Sequence, residues 1–166
     1  MRAGRVLAFA AAGLLGLLVL FAALNRRDQD AARGEEIRYD DFGFSLLDHR
    51  RSAVPSAAGK VLLLVDLRVS NHAKRVPFRF DPATVRLLGG DGREFQAVSA
   101  SRPDLPPGRD PFERALPPGG SCVAELGFDV PSDLREPRLR ISFGRNGFLD
   151  LLDDVFWGRK RIRLEG

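Results

Sequence analysis

His49, His72 and Cys122 are the side chains best suited to ligate a soft metal or activate a nucleophile, and their spacing argues against both roles. A zinc site needs three or four His, Cys or carboxylate ligands that converge. Two histidines 23 residues apart and a single cysteine form no local ligand motif. His49 stands beside Arg50 and Arg51 in an expected turn, and His72 follows Asn71 at an expected strand end, so both are predicted on surface loops. Gly89 to Glu94 (GGDGRE) holds two carboxylates, too few for calcium, which takes six or more oxygens. Asp91-Gly92 therefore reads as a hairpin turn and Asn71 as a turn residue that bonds its own backbone. No Gly-x-Ser-x-Gly elbow frames a nucleophile. The expectation is no catalytic residue, no metal and no cofactor.

The elements that would position these groups are short strands. Val61, Leu63, Val65, Leu67 and Val69 alternate with Leu62, Leu64, Asp66, Arg68 and Ser70, the period of two of a central strand. Ile37 to Leu46 predicts a first strand pair or a bulged strand, Val76 to Phe80 a further strand, and Val85 to Leu88 another, which the Gly90-Asp91-Gly92 turn joins to Phe95 and Ala97. Cys122, Ala124, Leu126, Phe128 and Val130 share one face of the next strand, with Cys122 a small buried hydrophobe and Pro131 its end. Leu139, Ile141 and Phe143 make the last. Some seven strands with Pro and Gly between them predict an all-β antiparallel β-sandwich.

Several of these features occur in the order found in bacterial membrane-anchored or lipid-anchored immunoglobulin-like domains of unknown function, which the chain resembles over residues 36–143. The likeness lies in Val69-Ser70-Asn71 closing a long apolar strand, Phe80 before a polar turn, Leu87-Leu88 leading to Asp91-Gly92 and Phe95, and Leu116-Pro117-Pro118-Gly119 before Phe128-Asp129-Val130-Pro131. It implies an extracytoplasmic fold without known catalytic residues. A Pro-rich loop and a C-terminal extension depart from the pattern.

Ahead of this domain, 19 uncharged residues from Val6 to Leu24 lie between Arg2/Arg5 and Arg26/Arg27. As a helix they would span roughly 28 Å, one bilayer core. Cutting after Ala22 or Ala23 would put Leu20 or Phe21 where a signal peptidase wants a small residue, so an uncleaved signal anchor is expected. The predicted organisation is an anchor over 1–24, a polar linker over 25–35 and the sandwich with a C-terminal helix and strand extension over 36–166. The soluble part is expected outside the cytoplasm, because long domains after a signal anchor translocate largely regardless of charge. Residues 1–34 hold five arginines and two aspartates, leaving 21 basic and 20 acidic groups in the remainder. That near-neutral balance argues against nucleic acid as a partner.

Two segments, a Pro-rich stretch that reads as a rigid crossover between sheets and a C-terminal helix that reads as packing on the parent domain, are also candidates for contact with an envelope protein. Ser101 to Gly120 carries six of the eleven prolines and presents Leu105 and Phe112. Near the C-terminus, Phe148, Leu151, Leu152, Val155 and Phe156 recur at helical spacing with Asp150, Asp153 and Asp154 opposite, and Trp157, Arg159, Lys160 and Arg161 follow. The candidate partner-binding residues are thus Leu105, Phe112, Phe148, Leu152, Phe156, Trp157, Arg159, Lys160 and Arg161. The expected role is a membrane-anchored binding or scaffolding module. The alternative is an accessory subunit of an envelope enzyme, or a hydrolase whose site assembles only in three dimensions. Oligomeric state is not legible.

Overall fold

The computed structural model describes residues 29–57, 59–103, 112–142 and 160–164, together with Gly13, Gly16 and Leu20, which have helical backbone. The rest of Val6–Leu24, Leu105, the predicted helix with Phe148, Leu152 and Phe156, Trp157 and Arg159 lie outside the described residues. Among those described, no helix is long and apolar enough to cross a membrane. The chain divides into two units, and the one considered below runs Gln29–Ser142 with Lys160–Gly166.

Nine strands build this unit: β1 (Gln29–Ala31), β2 (Glu36–Tyr39), β3 (Phe42–Ala57), β4 (Lys60–Asn71), β5 (Val85–Leu88), β6 (Glu94–Ser101), β7 (Ser121–Pro131), β8 (Arg138–Ile141) and β9 (Lys160–Arg163). One sheet has the order β1-β9-β8-β5-β6 and the other β6-β7-β4-β3-β2. The strand they share is β6. Its first residues pair with β5, its later ones with β7, and a register shift between Ala97 and Ser99 pushes Val98 out to 62% exposure. A bulge there bends the strand from one sheet into the other.

The apolar alternation read from the sequence becomes the core. Leu63, Val65, Leu67 and Val69 of β4, Cys122, Ala124, Leu126, Phe128 and Val130 of β7, and Val85, Leu87, Leu139, Ile141 and Ile162 from the other sheet are all buried. β4 is the centre of its sheet, between β3 and β7, as expected.

Two expectations are corrected. Val76 to Phe80 is not a strand: Phe78 alone forms a bridge, to Leu116, because Pro77 brings no N–H to a ladder. Gln29–Ala31, read as linker, is β1, and it runs parallel to β9, so the sheet is not wholly antiparallel. It covers the edge that β9 would otherwise leave open, with Ala31 buried beneath.

Candidate functional site

Asn71 closes β4 at 1% exposure, and every polar atom it owns is engaged. Its side-chain amide donates to the carbonyls of Val76 (2.9 Å) and Leu116 (3.1 Å), and its Oδ1 accepts from the N–H of Ala73 at 3.0 Å. Its backbone N–H donates to Gly120 O at 2.8 Å, and its carbonyl accepts from Gly119, which holds a φ of +74°. Asn71 is the structural turn residue the sequence predicts, and it pins the second half of the Pro-rich loop to the sheet.

That pinning explains Phe112. The ring is 8% exposed and packs edge-on against Phe80 at 5.2 Å. Phe80 in turn meets Phe44 at 6.2 Å, and Phe78 stacks on Phe42 at 4.0 Å. Phe112 is thus part of an aromatic cluster in the core rather than an exposed partner contact.

Two of the candidate basic residues after Trp157 belong to a strand. Lys160 and Arg161 stand in β9, with Ile162 and Leu164 buried beside them. Lys160 Nζ donates to the carbonyl of Arg38 and sits 4.3 Å from the Tyr39 ring centroid, while Tyr39 Oη donates to Ile141 O at 2.8 Å. These contacts join β2, an edge of one sheet, to β8 and β9 of the other.

The histidines differ from one another. His72 is exposed at the end of β4, as predicted, and its Nε2 lies 3.0 and 3.1 Å from the two oxygens of Glu36. Arg38 Nε donates to the same carboxylate at 2.8 Å. Burial pushes the Glu36 carboxyl up, but the hydrogen bonds and charges of Arg38 and His72 outweigh it and hold it below its ordinary range. Gly43 makes room: a Cβ there would collide with the Glu36 carboxylate.

His49 is not on a loop. It stands within β3 opposite Val65, and the reason is the register shift between Leu46 and Asp48. Residues opposite one another across a ladder share a face. Before the shift Phe44 and Leu46 point inward with Val69 and Leu67; after it the half-buried His49 and the exposed Arg51 stand opposite Val65 and Leu63. They line a cavity of about 280 Å³ with Arg50, Leu63, Val130, Leu134, Pro137 and Leu164. Arg51 there donates to the carbonyl of Ser132 at 3.0 Å, and His49 Nδ1 is buried without a hydrogen-bond partner among the described residues. Sequence reading missed this pocket because a one-residue bulge inverts the faces of everything beyond it.

On the outer side, Arg50 spans three strands, bonding Asp66 at 2.9 Å and Glu125. The Asp66 charge above all holds the guanidinium in its charged form. Among the described residues neither histidine bonds a serine, threonine or cysteine, and no three His, Cys, Asp or Glu come together to hold a metal. Chemically, these groups clamp strands.

No protein-family model matches the chain, and no curated protein matches it. Solved structures do. An uncharacterised β-sandwich protein from Clostridium difficile matches with a TM-score of 0.59 at 14% identity, over 85% of this chain and 97% of that one. MPT63, a secreted protein from Mycobacterium tuberculosis, matches with a TM-score of 0.53 at 15% identity, over 72% and 93%. A putative lipoprotein from Bacillus subtilis matches with a TM-score of 0.53 at 17% identity, over 79% of this chain and 38% of that one. The chain therefore has an all-β sandwich fold that these proteins share.

Proposed function

We propose that this chain is a membrane-anchored binding or scaffolding module of a bacterial envelope, immunoglobulin-like, facing away from the cytoplasm and without catalysis of its own. The observation that carries the reading is the continuity of the chain. The 19-residue apolar segment ends at Leu24, and β1 of the sandwich begins at Gln29, so the segment leads almost directly into an edge strand. A short tether of this kind suits a fixed platform better than a diffusing enzyme. Two further points support it: the sandwich proteins of similar fold include a secreted protein and a putative lipoprotein, and Glu36, His72, Arg50 and Asp66 are occupied in holding strands together.

Crosslinking of intact membranes followed by mass spectrometry tests the binding role. The expected result is a defined envelope protein joined to residues of this unit. Recovery of the chain in the soluble fraction, or an N-terminus beginning after residue 20 in the membrane-extracted protein, would overturn the uncleaved anchor.

A further inference from the structure

The outer surface of the sheet that contains β5, β8 and β9 carries an arginine row. Alternation turns Val85, Leu87, Leu139, Ile141 and Ile162 inward, so Arg86, Arg138, Arg140, Arg161 and Arg163 share the other face. Register sets Arg86 opposite Arg140, and Arg140 opposite Arg161, three guanidiniums in one line across three strands; Arg138 stands opposite Arg163. Like charges directly opposite one another destabilise a ladder. Fold stability alone therefore gives no reason for this pattern.

Acidic neighbours answer only part of the charge. Glu94 meets Arg140 at 2.9 Å, Asp30 meets Arg163 at 3.4 Å and Glu136 meets Arg138 at 3.6 Å. Arg86 and Arg161 make no ion pair among the described residues, although Asp30 is the register partner of Arg161, and the Nε of Arg161 is buried without an acceptor. A guanidinium in this state calls for an oxyanion, and its planar fork matches phosphate oxygens in pairs.

We propose that this arginine face docks on the phosphate groups of an anionic lipid surface, an inference that rests on the anchored reading above. The chain itself names the occupant. Asp30 of β1 belongs to the same face, and β1 is joined to Leu24 by residues 25–28, a tether of at most about 17 Å when fully extended. Two of those four residues, Arg26 and Arg27, are also cationic. A bilayer holding the apolar segment would be at high effective concentration for this sheet face, where a diffusing acidic partner would not.

The test uses the full chain in vesicles, either phosphatidylcholine alone or with phosphatidylglycerol, each carrying a headgroup quencher. A fluorophore is placed on Gln96→Cys, on the arginine face opposite Arg86, or on Arg68→Cys, exposed on the other sheet, both in a Cys122→Ala background. Quenching at 96 well above that at 68, present only with phosphatidylglycerol and reversed by salt, is the expected result. Arg86→Gln/Arg140→Gln/Arg161→Gln should weaken docking on the order of 100-fold. Arg86→Gln alone, which breaks no ion pair, should weaken it about fivefold and keeps the test valid if the triple variant misfolds.

Equal quenching at the two sites in chains that float with both vesicles would overturn the headgroup proposal while leaving the anchor intact. Flotation with phosphatidylglycerol alone, lost in the triple variant, would uphold the arginine face and overturn the anchor. Protection of position 96 by inorganic phosphate or by self-association, without dependence on lipid charge, would also defeat the proposal.

Discussion

Tyr39 and Ile141, 102 residues apart, are joined by a single hydrogen bond, the phenolic hydroxyl donating to the main-chain carbonyl at 2.8 Å. The bond ties an edge strand of one sheet to the opposite sheet, on the side away from the β6 bend. Tyr39→Phe should therefore cost about 1 kcal/mol, the net worth of one hydrogen bond, measured by urea unfolding. An unchanged midpoint would show that the edge is held by Lys160 and packing alone.

Asn71 should be far less tolerant. Asn71→Ala leaves the buried Ala73 N–H without its acceptor and the Val76 carbonyl without its side-chain donor, while the Leu116 carbonyl keeps the N–H of Phe78, and should cost about 1–3 kcal/mol at the usual penalty for unmet buried groups. Asn71→Asp keeps the size but faces those carbonyls with a carboxylate and should cost at least as much. Wild-type melting of Asn71→Asp would contradict the hub.

Phe128 is fully buried opposite Leu63, so Phe128→Ala should cost about 3–5 kcal/mol. His49→Leu should act in the opposite direction or be neutral, since it removes a buried nitrogen that has no partner among the described residues and lies beside Leu63, Val130 and Leu134. A loss above about 1 kcal/mol on His49→Leu would indicate that the imidazole has a structural partner.

The depressed carboxyl of Glu36 makes stability depend on acid. Its contribution is complete above its ordinary value of 4.5 and fades as the pH falls through the lower folded value. Glu36→Gln should flatten that part of the profile and leave neutral stability little changed, the pair being partly exposed. An identical acid limb in both proteins would remove Glu36 from the account.

Most of the fold was legible because it rests on period-two alternation. The core faces of β4 and β7 and the hairpin after Leu88 needed no tertiary information. What was not legible depended on one-residue shifts and distant partners. The bulge after Leu46 turned His49 inward, and β9 paired with Gln29–Ala31, which read as linker, and with β8 through basic residues that read as partner contacts. Charge was misleading in a similar way. A domain near neutrality by count concentrates arginines on one sheet face, because Arg138-Leu139-Arg140 and Arg161-Ile162-Arg163 alternate in phase once their strands pair.

In the proposed arrangement the sandwich is held outside the cytoplasm by its own N-terminal segment. A dual reporter fused after Gly166, with alkaline phosphatase active only outside and a fluorescent protein only inside, tests it in living cells. Phosphatase activity that sediments with the membranes is the expected result. A silent phosphatase with a bright cytoplasmic reporter would contradict it.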